Sequence, residues 1–267
     1  MKIGIAGLGK MGEALLEGMR RNDPGGAFAI SATTRTEESA REAARRLKIS
    51  CHTDNERLAR ESDVIVLCVK PHQAKAVLTA QRPALGKQKL LISVCAAVTT
   101  EQLGAWSGGG PAVIRAMPNT PALIGRGMTV YCGGAGCRRE QLAIAERIFG
   151  AVGRTAQIEE SLMDGATGLS GCGPAYIYLV IEALSEAGVK VGLPRGTATL
   201  LAAQTLSGAA EMVLARGVHP AALKDEVTTP AGCTIDGLMA LEEGKLRVTL
   251  IKAVLAAAKR SRSLRVE

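Results

Sequence analysis

The 267 residues carry 47% apolar, 22% charged and only 2% aromatic side chains, with a formal net charge of +8. That is enough chain for a sizeable core, as one large domain or two ordinary ones. The scarcity of aromatics forces a core of Ala, Leu, Val and Ile and argues against a nucleic-acid partner, which needs stacking surface; an anionic small molecule suits the basic excess better.

Seven dispersed cysteines without a CxxC or a His cluster argue against zinc, any other metal site and a disulfide framework, and point to a reducing cytoplasm. No secretory leader and no membrane span is expected, because the N-terminus reads as a strand and no uninterrupted apolar run is long enough. The basic run Lys259-Arg260-Ser261-Arg262 reads as the solvated last turn of a helix.

Taken in chain order, Lys2 to Ala6 is a short β-rich run and Met11 to Met19 has apolar residues at helical spacing. Between them Gly7-Leu8-Gly9-Lys10-Met11-Gly12 forms G-x-G-x-x-G. The first glycine permits a tight turn, the second lets backbone approach a pyrophosphate, and the third lets helix pack on strand; the helix N-terminus faces the anion.

A second strand, about Ala27 to Thr33, ends in SATTRTEES. An NAD site expects a carboxylate there for the ribose 2′-hydroxyl. Arg35, flanked by Thr34 and Thr36, stands in its place and suits a 2′-phosphate, which favours NADP over NAD. Thr36 also reads as the cap of a helix beginning at Glu37.

Val64 to Val69 is an apolar run of the kind buried on both faces of a parallel sheet, closed by Lys70-Pro71. Residues 89 to 98, 112 to 124 (strand, then a loop with two prolines) and GMTVYCGG continue the pattern. The fold class is α/β, with an N-terminal Rossmann doubly wound parallel sheet over 1–158. Val69-Lys70-Pro71, Cys95-Ala96-Ala97 and Met117-Pro118-Asn119 fall at strand ends, where the nicotinamide and ribose would lie.

After Ile158 strand signals stop, and residues 159–267 read as helical. Helices over 176–187, 197–215 and 246–260 are apolar on more than one face. So thin a core implies completion by a second copy of the chain. In SGCGPAY, Gly171 and Gly173 break a helix and Pro174 suits a new start, which brings Ser170 and Cys172 to a closely packed surface.

GLGKMG, VKP, RAMPNTP, LSGCGPAY, GLPR and DEVTTPAGCTIDGL occur in that order. With them the whole chain resembles the pyrroline-5-carboxylate reductase family. The resemblance implies an NAD(P)H-binding Rossmann domain and an all-α dimerisation domain, with NADPH preferred and NADH the alternative. It implies a homodimer, assembled further in many members as a decamer of five dimers, and reduction of a cyclic imine to proline. By position it makes Val227, Thr229, Gly232, Cys233 and Thr234 substrate contacts, and Arg35 and Thr36 the selectors of the 2′-phosphate. Asn55 corresponds to a residue near the adenosine ribose and Asn119 to one in the cofactor loop.

The chain departs from the family pattern in having TPAGCT for SPGGTT or SPGGAT, so that Ala231 replaces a glycine, and in having Cys172 for a serine. Thr234 is the candidate catalytic hydroxyl, near the imine nitrogen; its structural alternative is a helix N-cap or first-turn residue. A β-hydroxyacid dehydrogenase is the rival enzyme class, but it needs a helix lysine after the glycine-rich segment, and none occurs before Lys190. A non-catalytic NADP sensor would have no use for residues 225–238.

Overall fold

The computed structural model describes residues 1–23 and 25–264. Residues 265–267, the end of the expected second domain, lie outside the described residues. The chain divides into two compact units, Met1–Cys172 with the C-terminal stretch from Ala256, and Gly173–Leu255.

The first unit runs β1 (Lys2–Ala6), α1 (Lys10–Arg21), β2 (Ala29–Thr33), α2 (Glu37–Leu47), β3 (Ser50–His52), α3 (Asn55–Glu61), β4 (Val64–Leu67), α4 (Pro71–Gln81), β5 (Leu90–Ser93) and α5 (Thr100–Trp106). It continues with β6 (Ala112–Met117), β7 (Gly127–Gly133), α6 (Arg139–Gly150), β8 (Gly153–Gln157) and the short helix α7 (Met163–Ala166). The sheet order is β3-β2-β1-β4-β5-β6-β7-β8. Chain order reverses between β1 and β4, where Ile3 pairs with Val64 and Ala6 with Leu67. Ligands bind at such a switch point, beyond the carboxyl ends of the strands.

β4 and β5 are buried along their whole lengths, as their unbroken apolar runs require of strands covered on both faces. Leu15, Leu16 and Met19 bring α1 onto the sheet with no exposed surface, each contributing roughly 1.5–3 kcal/mol of burial. Phe149 is the only aromatic among the largest fully buried side chains, so the core is aliphatic as the composition demands.

The sheet is not wholly parallel. β7 runs antiparallel to β6, with Ile114 opposite Gly133 and Met117 opposite Val130. The connection, residues 118–126, holds one 3-10 turn over Thr120–Ile124. It is too short for the crossover a parallel neighbour needs, which takes roughly a dozen residues. β3 and β8 were not expected: SCH is short, and GRTAQ has too little apolar character to announce a strand.

The second unit contains α8 (Gly173–Lys190), α9 (Arg195–Arg216), α10 (Pro220–Glu226), α11 (Cys233–Glu243) and the first part of α12 (Leu246–Ser263). Among its described residues only Ala198, Ala202 and Ser185 are buried, while Leu179, Leu200, Ile251 and Leu255 stand more than half exposed. By length and composition α9 is apolar enough to cross a membrane, although Gln204, Ser207 and Glu211 interrupt its apolar run. So large an apolar surface on one chain marks an interaction face.

Two local expectations change. Between Met163 and α8 the helix does not stop at Gly171; it widens into a π-helical turn over Thr167–Gly171. The basic run near the C-terminus is not wholly solvated either, since Ser261 is buried and donates to Asp164 Oδ1 at 2.7 Å.

Candidate active site

The three glycines after β1 differ in their surroundings. Gly7 has φ +92°, and a Cβ there would lie 2.6 Å from Val69 Cγ1. A Cβ on Gly12 would lie 3.0 Å from the Gly7 carbonyl oxygen and 3.1 Å from Ile5 Cγ2. Gly9 has nothing within 4 Å, so backbone is bare on the open side. Gly9 is also the N-cap of α1 without a side-chain cap, which leaves first-turn N–H groups for an anion.

These residues open one wall of a cleft of about 1190 Å³, larger than the roughly 300–1,000 Å³ of drug-sized sites and suited to a dinucleotide. Gly7, Leu8, Gly9, Lys10 and Met11 line it, with Val69, Lys70 and Pro71 beyond β4, Ala96 beyond β5, Met117 at the end of β6 and Pro118 just past it. At the other end stand Thr34, Arg35, Thr36, Ser39 and Asn55. Gly12, Ala97 and Asn119 do not line it. Gly12 packs beneath the turn. Ala97 is buried with φ +61°. The side-chain amide of Asn119 is turned to Met128 and Ser170.

Among the described residues, no carboxylate lines the cleft. Arg35 is exposed and forms no ion pair among the described residues. Thr36 caps α2 by accepting from Ser39 N–H at 3.2 Å and donates to Ser39 Oγ at 2.9 Å, so the cap and a hydroxyl-rich edge coexist. Thr33 Oγ1 donates to Asn55 Oδ1 at 2.7 Å, which fixes Asn55 at the start of α3. Cys95, expected at the end of its strand, lines the cleft, whereas the sequence reading missed Ser39 and the thiol of Cys68. Ser39 was legible, one turn into the helix that Thr36 caps; the Cys68 thiol gave no sequence signal.

Burial pushes the Cys68 thiol well up and that of Cys95 up to about 11, hydrogen bonds to Ser93 and the Val69 carbonyl offsetting only part of the latter. Both are neutral thiols at physiological pH. The cleft therefore offers cations, hydroxyls and backbone N–H groups, and neither a thiolate nor a carboxylate base. That inventory suits binding and alignment of an anionic dinucleotide.

In the second unit Gly232 N–H donates to the Thr229 carbonyl at 3.0 Å. Pro230 and Ala231 occupy the two central positions, and Ala231 has φ +58°, which makes this a type II turn with alanine where glycine is preferred. Gly232, not Thr234, is the N-cap of α11, and no side chain caps it. Its N–H is spent on the turn, so the donors left are those of Ala231 and of the first helical residues, Cys233 and Thr234. A Cβ on Gly232 would lie 2.5 Å from Thr229 Oγ1, so the glycine leaves the space that this hydroxyl occupies. Thr234 is half-buried and makes no side-chain hydrogen bond among the described residues; Val227 and Cys233 are exposed.

Comparison with known proteins agrees with this inventory. Residues 160–264 match the family model described as pyrroline-5-carboxylate reductase dimerisation, and residues 2–97 match one described as NADP oxidoreductase, coenzyme F420-dependent. A pyrroline-5-carboxylate reductase of Arabidopsis thaliana is 43% identical over 98% of this chain and 95% of its own. The chain belongs to the pyrroline-5-carboxylate reductase family. Another family member, from Methanosarcina acetivorans, is 41% identical over 98% of this chain and 97% of its own. A solved pyrroline-5-carboxylate reductase from Coxiella burnetii superposes with a TM-score of 0.92 at 36% identity, covering 99% of this chain and 98% of that one. The Plasmodium falciparum pyrroline carboxylate reductase, solved with NADP bound, gives 0.87 at 35%, covering 100% and 98%.

Measured against the pyrroline-5-carboxylate reductase pattern, Ala231 is the departure with a structural consequence. A non-glycine residue in the left-handed region costs roughly 1–2 kcal/mol, whereas glycine adds roughly 0.4–1 kcal/mol of unfolded-state freedom. Ala231→Gly is therefore expected to stabilise the protein by about 0.5 kcal/mol, read from the urea midpoint at unchanged slope. A loss of stability would show that Ala231 is unstrained.

Proposed function

We propose that this chain reduces 1-pyrroline-5-carboxylate to L-proline with NADPH, the last step of proline biosynthesis, with NADH the weaker alternative. The observation that carries this reading is the identity to pyrroline-5-carboxylate reductases over 98% of the chain, which takes in both the cleft and residues 225–238. Division of labour falls near residue 158, with cofactor binding before it and self-association and substrate binding after.

The cleft residues fit NADPH. The open backbone at Gly9 and the uncapped start of α1 take the pyrophosphate, with Leu8, Lys10 and Met11 beside it and Gly12 seating the helix. Arg35 and Thr36, joined by Thr34 and Ser39, take the 2′-phosphate, and Asn55 lies by the adenosine ribose. Val69, Lys70, Pro71, Ala96, Met117 and Pro118 form the nicotinamide end, with the buried Ala97 next to Ala96 in the chain. When bound there, NADPH supplies the hydride.

Residues 225–238 hold the substrate. Its carboxylate is received by N–H groups of Ala231, Cys233 and Thr234 at the start of α11, where the helix dipole favours an anion. Val227 and Thr229 border the ring. A protonated imine is already electrophilic, so its carbon accepts hydride while the C=N electron pair passes to nitrogen; one imine, one NADPH and one proton give proline and NADP⁺. Alignment then supplies much of the rate, in accord with a cleft that no carboxylate lines among the described residues. Thr234 is placed near the imine nitrogen as its hydrogen-bond partner or relay to water.

The working form is a homodimer, supported by the dimerisation match over 160–264 and the exposed apolar helices, and further a decamer of five dimers. Seven unpaired cysteines support residence in a reducing cytoplasm. The test follows NADPH absorbance with 1-pyrroline-5-carboxylate added. Oxidation dependent on the imine is expected, and none at saturating substrate rejects the reading.

A further inference from the structure

We infer that Asn119 is a positioning residue, whose amide supplies to the Ser170 carbonyl the hydrogen bond that Pro174 cannot make. This rests on the activity proposed above. Asn119 is the N-cap of the 3-10 turn Thr120–Ile124, yet its side chain makes no cap there. Oδ1 accepts from Met128 N–H at 2.8 Å, and Nδ2 donates to the Ser170 carbonyl at 3.2 Å and lies 3.4 Å from Ser170 Oγ. Both ends of the amide are engaged within the first unit, and neither lines the cleft.

Ser170 needs that donor for a reason written in the sequence. A helical carbonyl is normally met by the N–H four residues on; four residues after Ser170 stands Pro174, which has none. The helix here is also widened, with Cys172 N–H reaching back to the Thr167 carbonyl at 2.9 Å. Pro174, in the first turn of α8 just beyond the π-turn, brings no N–H back to the Ser170 carbonyl. Asn119 meets that carbonyl from outside and fixes the turn to the β6–β7 connection.

The same turn backs the cleft wall. Met117 lines the cleft, and a Cβ on Gly171 would lie 2.8 Å from Met117 Cε. The bond from Asn119 therefore sets where the π-turn meets the nicotinamide end, and it does so without touching the cofactor. Displacements on the order of 1 Å near reacting groups cost about a hundredfold in rate.

The test uses the full-length protein with Asn119→Asp, which keeps the acceptor for Met128 N–H and puts a second acceptor against the Ser170 carbonyl. NADPH affinity, by nicotinamide fluorescence, is expected to stay within about twofold, while kcat falls on the order of tenfold or more. Amide hydrogen exchange over residues 167–173 is expected to quicken; this readout does not depend on which substrate the enzyme uses. Adding Pro174→Ala restores an N–H four residues after Ser170 and is expected to recover much of kcat. A matching loss of NADPH affinity would make Asn119 a cofactor contact and overturn the inference. So would unchanged kcat and exchange, or failure of Pro174→Ala to recover activity. Failure of the proposed activity is distinguished by a wild-type protein inert towards the imine while exchange still responds.

Discussion

Arg35→Glu is expected to lower kcat/KM for NADPH on the order of a hundredfold and to leave that for NADH within about threefold. Arg35 is exposed at the cleft edge without an ion pair among the described residues, so the substitution breaks no internal bond of its side chain. A hydrogen bond to a charged group is worth roughly 1.5–3 kcal/mol, or about tenfold to more than a hundredfold in binding. The new carboxylate adds repulsion of the 2′-phosphate. NADH lacks that phosphate, and a carboxylate at this position is what a ribose 2′-hydroxyl accepts. Parallel losses for both cofactors would show that Arg35 serves the loop and not the phosphate.

Glu160→Ala is expected to cost about 3 kcal/mol of stability and to lower Tm by roughly 6–12 °C. Glu160 accepts from Thr100 N–H at 2.8 Å, from Thr100 Oγ1 at 2.5 Å and from Arg115 Nη1 at 3.2 Å. Arg115 lies on β6 and is 5% exposed, so removing its partner strands a buried cation. Thr100 opens α5, and its N–H is one of the helix's orphan donors, met here by an anion at the favourable end of the dipole. Glu160→Gln should cost less, because it keeps an acceptor for Thr100. A calorimetric shift below 2 °C for Glu160→Ala would mean that water satisfies Arg115 without help.

The nucleotide loop was legible because each glycine's reason is local: a turn, an open approach and a helix–strand contact all lie within a few residues of it. The same holds for the absent acid after β2, for Thr36 as a cap, and for Ala231, whose left-handed backbone follows from Pro-Ala-Gly standing in a turn. Direction of β7 was recoverable in principle from the short connection 118–126, but GMTVYCGG alone carries no sign of it. β3 and β8 escaped because their pairing depends on neighbours, not on their own apolar content. Asn119 escaped for a related reason. Its partners, Met128 and Ser170, are 9 and 51 residues away, and no local pattern distinguishes an amide that faces a cofactor from one that repairs a helix. The Arg115–Glu160 pair spans 45 residues and was equally silent.

Hydride transfer itself is followed most directly with NADPH deuterated at the transferable nicotinamide position and 1-pyrroline-5-carboxylate as acceptor. Mass spectrometry of the product should show L-proline carrying one deuterium on the carbon of the former C=N bond. Imine-dependent NADPH oxidation that gives unlabelled proline, or no proline at all, would contradict the account.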